Sequence, residues 1–159
     1  MTPRRTVQPP LVLGLCGFSG AGKTTLIERI VPGLRRSGLR VAVVKHDAHG
    51  LDIDKPGKDS DRLFQAGADV LVHDRRQGLL RFRAAGLSLR GALARLGGTY
   101  DLVLVEGHKR SPGAKLWLLG PGETAPPPGV SGVLGVLPRT SHRPALARRL
   151  ILELLARPR

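Results

Sequence analysis

The feature that most constrains this chain is eight residues long. Gly17-Phe18-Ser19-Gly20-Ala21-Gly22-Lys23-Thr24 fits the spacing GxxxxGK[ST]. It follows Leu11 to Cys16, a short apolar run suited to a buried parallel strand. It precedes a helical pattern with Leu26, Ile27, Ile30, Val31 and Leu34 on one face. Strand, glycine-rich turn and helix in that order predict a phosphate loop. Glycines let successive backbone amides converge on phosphate oxygens, and the helix presents its positive end to them. The expected nucleotide-binding residues are Gly17, Ser19, Gly20, Ala21, Gly22, Lys23, Thr24 and Thr25. Lys23 would reach the β and γ phosphates, and the Thr24 hydroxyl would ligate Mg2+.

Such a loop needs a carboxylate at the end of a neighbouring buried strand, to hold the metal or its water. The run from Asp101 through four apolar residues to Glu106 and Gly107 supplies one. Asp101 opens that strand, about 15 Å from its far end. Glu106 closes it, at the edge where ligands bind in open α/β sheets, so the Walker B role falls to Glu106. A second unusual segment, Lys45 to Asp61, holds five of the twelve acidic residues and two of the five histidines. It begins where a predicted strand, Val41 to Val44, ends. Lys45 is expected to meet a γ phosphate, beside Lys23 and Glu106 as the catalytic set. Asp47 would accept from a Mg2+-bound water, making Thr24, Asp47 and Glu106 the metal set. His46 and His49 have no thiol nearby, which argues against zinc.

The rest of the chain alternates strands and helices. Asp59 or Ser60 is expected to cap a short helix, and Ser88 another. Val70 to Val72 and Leu79 to Phe82 flank a turn at Gly78, predicting a hairpin. Strands at Leu102 to Val105, Leu116 to Leu119 and Val130 to Leu137 precede a last helix with Leu146, Leu150, Ile151 and Leu154 on one face. The predicted fold is α/β, a P-loop NTPase with a largely parallel sheet flanked by helices and an antiparallel hairpin extension. A polar arm, 1–10, precedes a single nucleotide-binding domain, 11–159.

Composition narrows the partners. Lysine and arginine exceed aspartate and glutamate by 26 to 12, for a net charge of +14. The surplus is spread along the chain, and three phenylalanines, one tryptophan and one tyrosine offer few platforms for stacking bases. A basic but ordinary surface is therefore expected over a dedicated nucleic-acid interface. The lone cysteine, Cys16, excludes an intramolecular disulfide and a multi-thiolate zinc site, and reads as a small core residue. No apolar run is long enough to span a membrane, and the expected compartment is the cytoplasm.

Three stretches, GFSGAGKTTL, VVKHDAHGLDIDKPGKDSDRLFQAGA and DLVLVEGHK, with Lys115 after them, together resemble the MobB family of molybdopterin-guanine dinucleotide biosynthesis. The resemblance runs from about Leu11 to Leu118. It implies a dimeric adaptor that binds GTP and hydrolyses it slowly with Mg2+. It implies a partner in the guanylyltransferase that joins GMP to molybdopterin, with molybdopterin itself a further ligand. It also marks Lys45 to Ser60 as a second signature loop, with His46, His49, Asp52, Asp54, Lys58 and Asp59 its notable residues. The chain departs from GTPase patterns in lacking an NKxD-type base reader, so guanine over adenine is inherited from the resemblance. Two alternatives stay open at this level. One is a small ATP-dependent kinase using Arg75, Arg76, Arg81 and Arg83 as a phosphate-clamping lid; the other is a basic nucleic-acid-binding protein.

Overall fold

The computed structural model describes residues 9–45, 54–85 and 87–157. Contacts divide the chain into two compact units, one from Met1–His46 and Leu93–Arg159, the other from Asp47–Ala92.

The first unit is built on five parallel strands: β1 (Leu11–Cys16), β2 (Val41–Lys45), β5 (Leu102–Glu106), β6 (Lys115–Leu118) and β7 (Val133–Leu137). Their order across the sheet is β2-β5-β1-β6-β7. Apolar runs such as LVLV in β5 suit this arrangement, since a strand in the middle of a parallel sheet is covered on both faces. On one face Leu13, Leu15, Leu102, Leu104, Leu116, Leu118 and Leu137 are fully buried. They pack against α1 (Lys23–Arg36) through Leu26, Ile27, Ile30 and Leu34, and against α4 (Arg143–Ala156) through Ala147 and Ile151. Burying one leucine is worth about 1.5–3 kcal/mol, so this face gives the connection from β1 to α1 a firm floor. On the opposite face Cys16, Trp117 and Leu119 form a smaller cluster with Val130 and Val133. β1 lies between strands that follow it in sequence on both sides, which makes its C-terminal end a topological switch point, the place where open α/β sheets take ligands.

The second unit holds α2 (Asp59–Gln65) and an antiparallel hairpin of β3 (Val70–His73) and β4 (Gly78–Arg81), which form a two-stranded sheet of their own. Asp59, expected as a cap, is instead the first residue of α2, and Lys58 takes the cap position. The turn is closed from inside the helix, where the Asp61 carboxylate accepts from the Gly57 N–H at 2.9 Å. Helix α3 (Leu89–Leu96) starts as read from sequence, with the Ser88 hydroxyl accepting from the Gly91 N–H at 3.1 Å. A short 3-10 turn, Gly97–Thr99, follows it. Among the described residues no helix is long and apolar enough to cross a membrane.

Candidate functional site

The first unit assembles the phosphate loop at the C-terminal end of β1. Gly17 is required by close approach, because a Cβ there would fall 2.6 Å from the Leu118 carbonyl oxygen. Gly22 is required by conformation: it caps α1 at φ 84°, a left-handed value costly for residues with a side chain. No side chain caps α1, and its first turn contains no acid. The amides at its start and their positive dipole therefore face outward uncompensated. Ser19, Gly20, Gly22, Thr24 and Thr25 are exposed around this opening, while Ala21 is buried beneath it. The Lys23 ammonium folds back over the loop, donating to the Phe18 carbonyl at 2.8 Å and the Gly17 carbonyl at 3.1 Å.

Sheet register brings Glu106 to the same place. It lies opposite Leu15 of β1 and Lys45 of β2, so all three share one level at the C-terminal edge. The Thr24 hydroxyl donates to Glu106 Oε1 at 2.7 Å across 82 residues of chain. With its O–H directed to the carboxylate, the Thr24 oxygen keeps its lone pairs for a cation, and oxygen ligands of this kind suit Mg2+. Asp101 sits at the other end of β5. There it accepts from the Arg40 N–H at 2.8 Å and pairs with the Arg40 guanidinium at 3.2 Å, which raises the arginine's pKa. Beyond Glu106 the chain turns sharply, with Gly107 at φ 90° and His108 at φ 54°. The Gly107 carbonyl accepts from Cys16 Sγ at 2.9 Å. Burial pushes the Cys16 thiol up, and the nearby Lys115, Lys23 and Lys109 charges oppose that.

The second signature loop divides. His46, Asp47, His49 and Asp52 lie outside the described residues. Asp54, Lys58 and Asp59 belong to the second unit, and there the acids serve local structure. Asp54 accepts from the Ser60 hydroxyl at 3.1 Å and from Arg81 at 3.2 Å, and Asp61 accepts from Arg81 at 2.9 Å. Asp59 is exposed, 3.8 Å from Arg62, and Lys58 is exposed. These bonds engage two arginines of the lid alternative. Arg81 is held by two carboxylates, and Arg83 donates to the Phe64 carbonyl at 2.8 Å. Both guanidiniums also stack on the Phe64 ring, at 3.9 and 4.3 Å from its centroid. Two of the four proposed clamps are thus committed inside their own unit. Among the described residues no cluster of three or more His, Cys, Asp or Glu gathers as a metal site.

Two buried cations take structural roles that the sequence did not assign them. Lys115, 2% exposed, donates to the carbonyls of Ser111, Gly113 and Ser131, bracing the loops around β6. Arg143, 8% exposed, opens α4 and donates to three carbonyls: Ala21 at 2.8 Å, Leu119 at 2.7 Å and Pro138 at 2.7 Å. Burial and the neighbouring Arg139 push its pKa down, yet an arginine stays charged. A signal for Arg143 was present in sequence: a cation at the start of a helix opposes the macrodipole and calls for another reason to be there. Beside the loop, a groove of about 300 Å³ runs past Gly20, Gly22, Thr25, Arg29, Arg139 and Thr140. A larger hollow of about 650 Å³ lies in the second unit, lined by Asp54, Lys58, Asp59 and apolar residues of β3 such as Val70 and Val72.

The family described as molybdopterin guanine dinucleotide synthesis protein B, MobB, matches residues 12–130. The chain is 37% identical over 150 residues to the molybdopterin-guanine dinucleotide biosynthesis adapter protein of Haemophilus influenzae, covering 92% of this chain and 83% of that protein. A crystal structure of molybdopterin-guanine biosynthesis protein B superposes with a TM-score of 0.68 at 29% identity, over 91% of this chain and 99% of that one. Bacillus subtilis MobB superposes with a TM-score of 0.68 at 25% identity, over 90% and 96%.

Proposed function

The chain belongs to the MobB family, and from that premise we propose that it is a GTP-binding adaptor of molybdenum cofactor biosynthesis that hydrolyses GTP slowly with Mg2+. The observation that carries this reading is the bond from Thr24 to Glu106 at the mouth of an uncapped, glycine-built loop. Loop amides from Gly17 to Thr25 would bind the phosphates, and the Lys23 ammonium would exchange its two carbonyl partners for phosphate oxygens. Thr24 and, through water, Glu106 would hold the ion, with Asp47 a further donor. The ion's chemistry is to neutralise charge between the β and γ phosphates. Lys45, level with Glu106, would add positive charge at the γ end.

Slow hydrolysis follows from what the loop lacks in the sequence. No water-positioning glutamine neighbours the motif in the sequence, and Arg29 and Arg139 beside it are given to the nucleoside and not to the γ phosphate; groups of the finger kind contribute roughly 10³ to 10⁵ in rate. The nucleoside would occupy the groove along Arg29, Arg139 and Thr140, where arginine donors would meet the O6 and N7 acceptors of guanine. The guanylyltransferase and molybdopterin, as partner and ligand, rest on the family. So does the homodimer, which is supported by the apolar side chains exposed on the hairpin.

Calorimetry with GTP and ATP, each with and without Mg2+, tests the proposal. Binding of Mg2+-GTP tighter than ATP is expected, and Lys23→Ala should abolish it. No GTP binding below millimolar concentration would end the proposal, and stoichiometric phosphate transfer from ATP to an acceptor would favour a kinase instead.

A further inference from the structure

We propose that Arg143 is a positioning residue for nucleotide binding, holding the Ala21–Gly22 peptide so that its N–H faces phosphate. The inference rests on the phosphate-loop reading above and extends it to a residue 122 positions away. In a trans peptide the C=O and the following N–H point in opposite directions. The Ala21 carbonyl is drawn inward to the Arg143 guanidinium at 2.8 Å, so the Gly22 N–H is turned outward, toward the opening. Ala21 is 2% exposed and Gly22 is exposed, which agrees with that orientation.

The same guanidinium ties the loop to its frame. Its other two bonds go to Leu119, just past β6, and Pro138, just past β7. One planar fork thus joins the phosphate loop to the ends of two strands, a geometry that the compact ammonium of lysine cannot reproduce. All three acceptors are neutral carbonyls. A buried cation compensated only by dipoles is costly in isolation, and an anion arriving on the far side of the loop offsets that cost. Arg143 therefore contributes a fixed charge beneath the loop as well as a fixed backbone.

Titration calorimetry of pyrophosphate and Mg2+-GTP against wild type, Arg143→Met, Arg143→Lys and Arg143→Ala tests this. Arg143→Met should weaken both ligands about tenfold or more, the equivalent of losing one charge-assisted bond, with Arg143→Lys between it and wild type. Guanidinium ion at millimolar concentration should restore pyrophosphate binding to Arg143→Ala, whereas urea, of the same shape and uncharged, should not. A residue that merely filled space would show neither the rescue nor its charge dependence. Folded Arg143→Met that binds pyrophosphate within about twofold of wild type would overturn the inference, as would equal rescue by urea. If Met and Ala variants do not fold, wild-type affinity in Arg143→Lys overturns it in the same way. Wild-type chain that binds neither ligand would overturn the nucleotide reading itself, a result distinct from normal wild-type binding with an indifferent Arg143→Met.

Discussion

Thr24 and Glu106 illustrate what a single side chain can determine. Glu106 accepts the Thr24 proton at 2.7 Å, so its carboxylate orients the hydroxyl on which a cation would settle. Glu106→Gln keeps the acceptor oxygen and removes the charge. It should weaken GTP binding in the presence of Mg2+ by about tenfold while leaving metal-free GTP binding unchanged. Calorimetry in Mg2+ and in chelator separates the two, and an unchanged Mg2+-GTP affinity would remove Glu106 from the metal's surroundings. Both residues were legible in sequence, Thr24 from the motif and Glu106 from its place after four apolar residues. Lys115 was legible only as part of a family signature. Its three carbonyl bonds assign it a bracing role that no spacing rule contains.

At the level of elements, strands and helices of the first unit emerge where periodicity foretold them, because a parallel sheet covered on both faces demands continuous apolar runs. The hairpin too was visible, but not what holds it. Arg81 on β4 reaches back to Asp54 and to Asp61 on α2, and this clasp joins segments that share no sequence pattern. The Gly57 N–H, and next the Arg81 guanidinium, hold the Asp61 carboxyl below its usual range. Stabilisation from such a group is complete above the ordinary aspartate value of about 3.9 and is lost as pH falls through the depressed one. Hydrogen-exchange protection at Val72 and Leu79, a hydrogen-bonded pair of the hairpin, should accordingly drop below about pH 4, and Asp61→Asn should show weaker protection at neutral pH with a flatter acid limb. Identical acid limbs in the two proteins would locate the hairpin's stability elsewhere.

Across the whole molecule, charge and apolar exposure point to different partners. The net charge of +14 suits acidic proteins and phosphorylated ligands. Apolar exposure, by contrast, is concentrated in the hairpin. Leu71 faces Leu80 across the strands on one side, Val72 faces Leu79 on the other, and Leu71 remains 63% exposed. A two-stranded sheet with bare apolar pairs on both faces is marginal alone. Light scattering should therefore find about twice the 17.0 kDa chain mass for wild type and a single chain for Leu71→Asp with Leu80→Asp. A wild-type monomer would refute the dimer.

By itself the sequence determined the glycine-rich turn between β1 and α1, the place of Glu106 at the end of β5, the order of strands and helices and the family, because each is written in neighbouring residues whose spacing dictates local geometry. Only the tertiary structure decided which distant groups meet. Arg143 reaches Ala21 across 122 residues, and Arg81 reaches Asp54 and Asp61, because register and strand order, not proximity along the chain, choose which carbonyls and carboxylates a buried or half-buried cation must find.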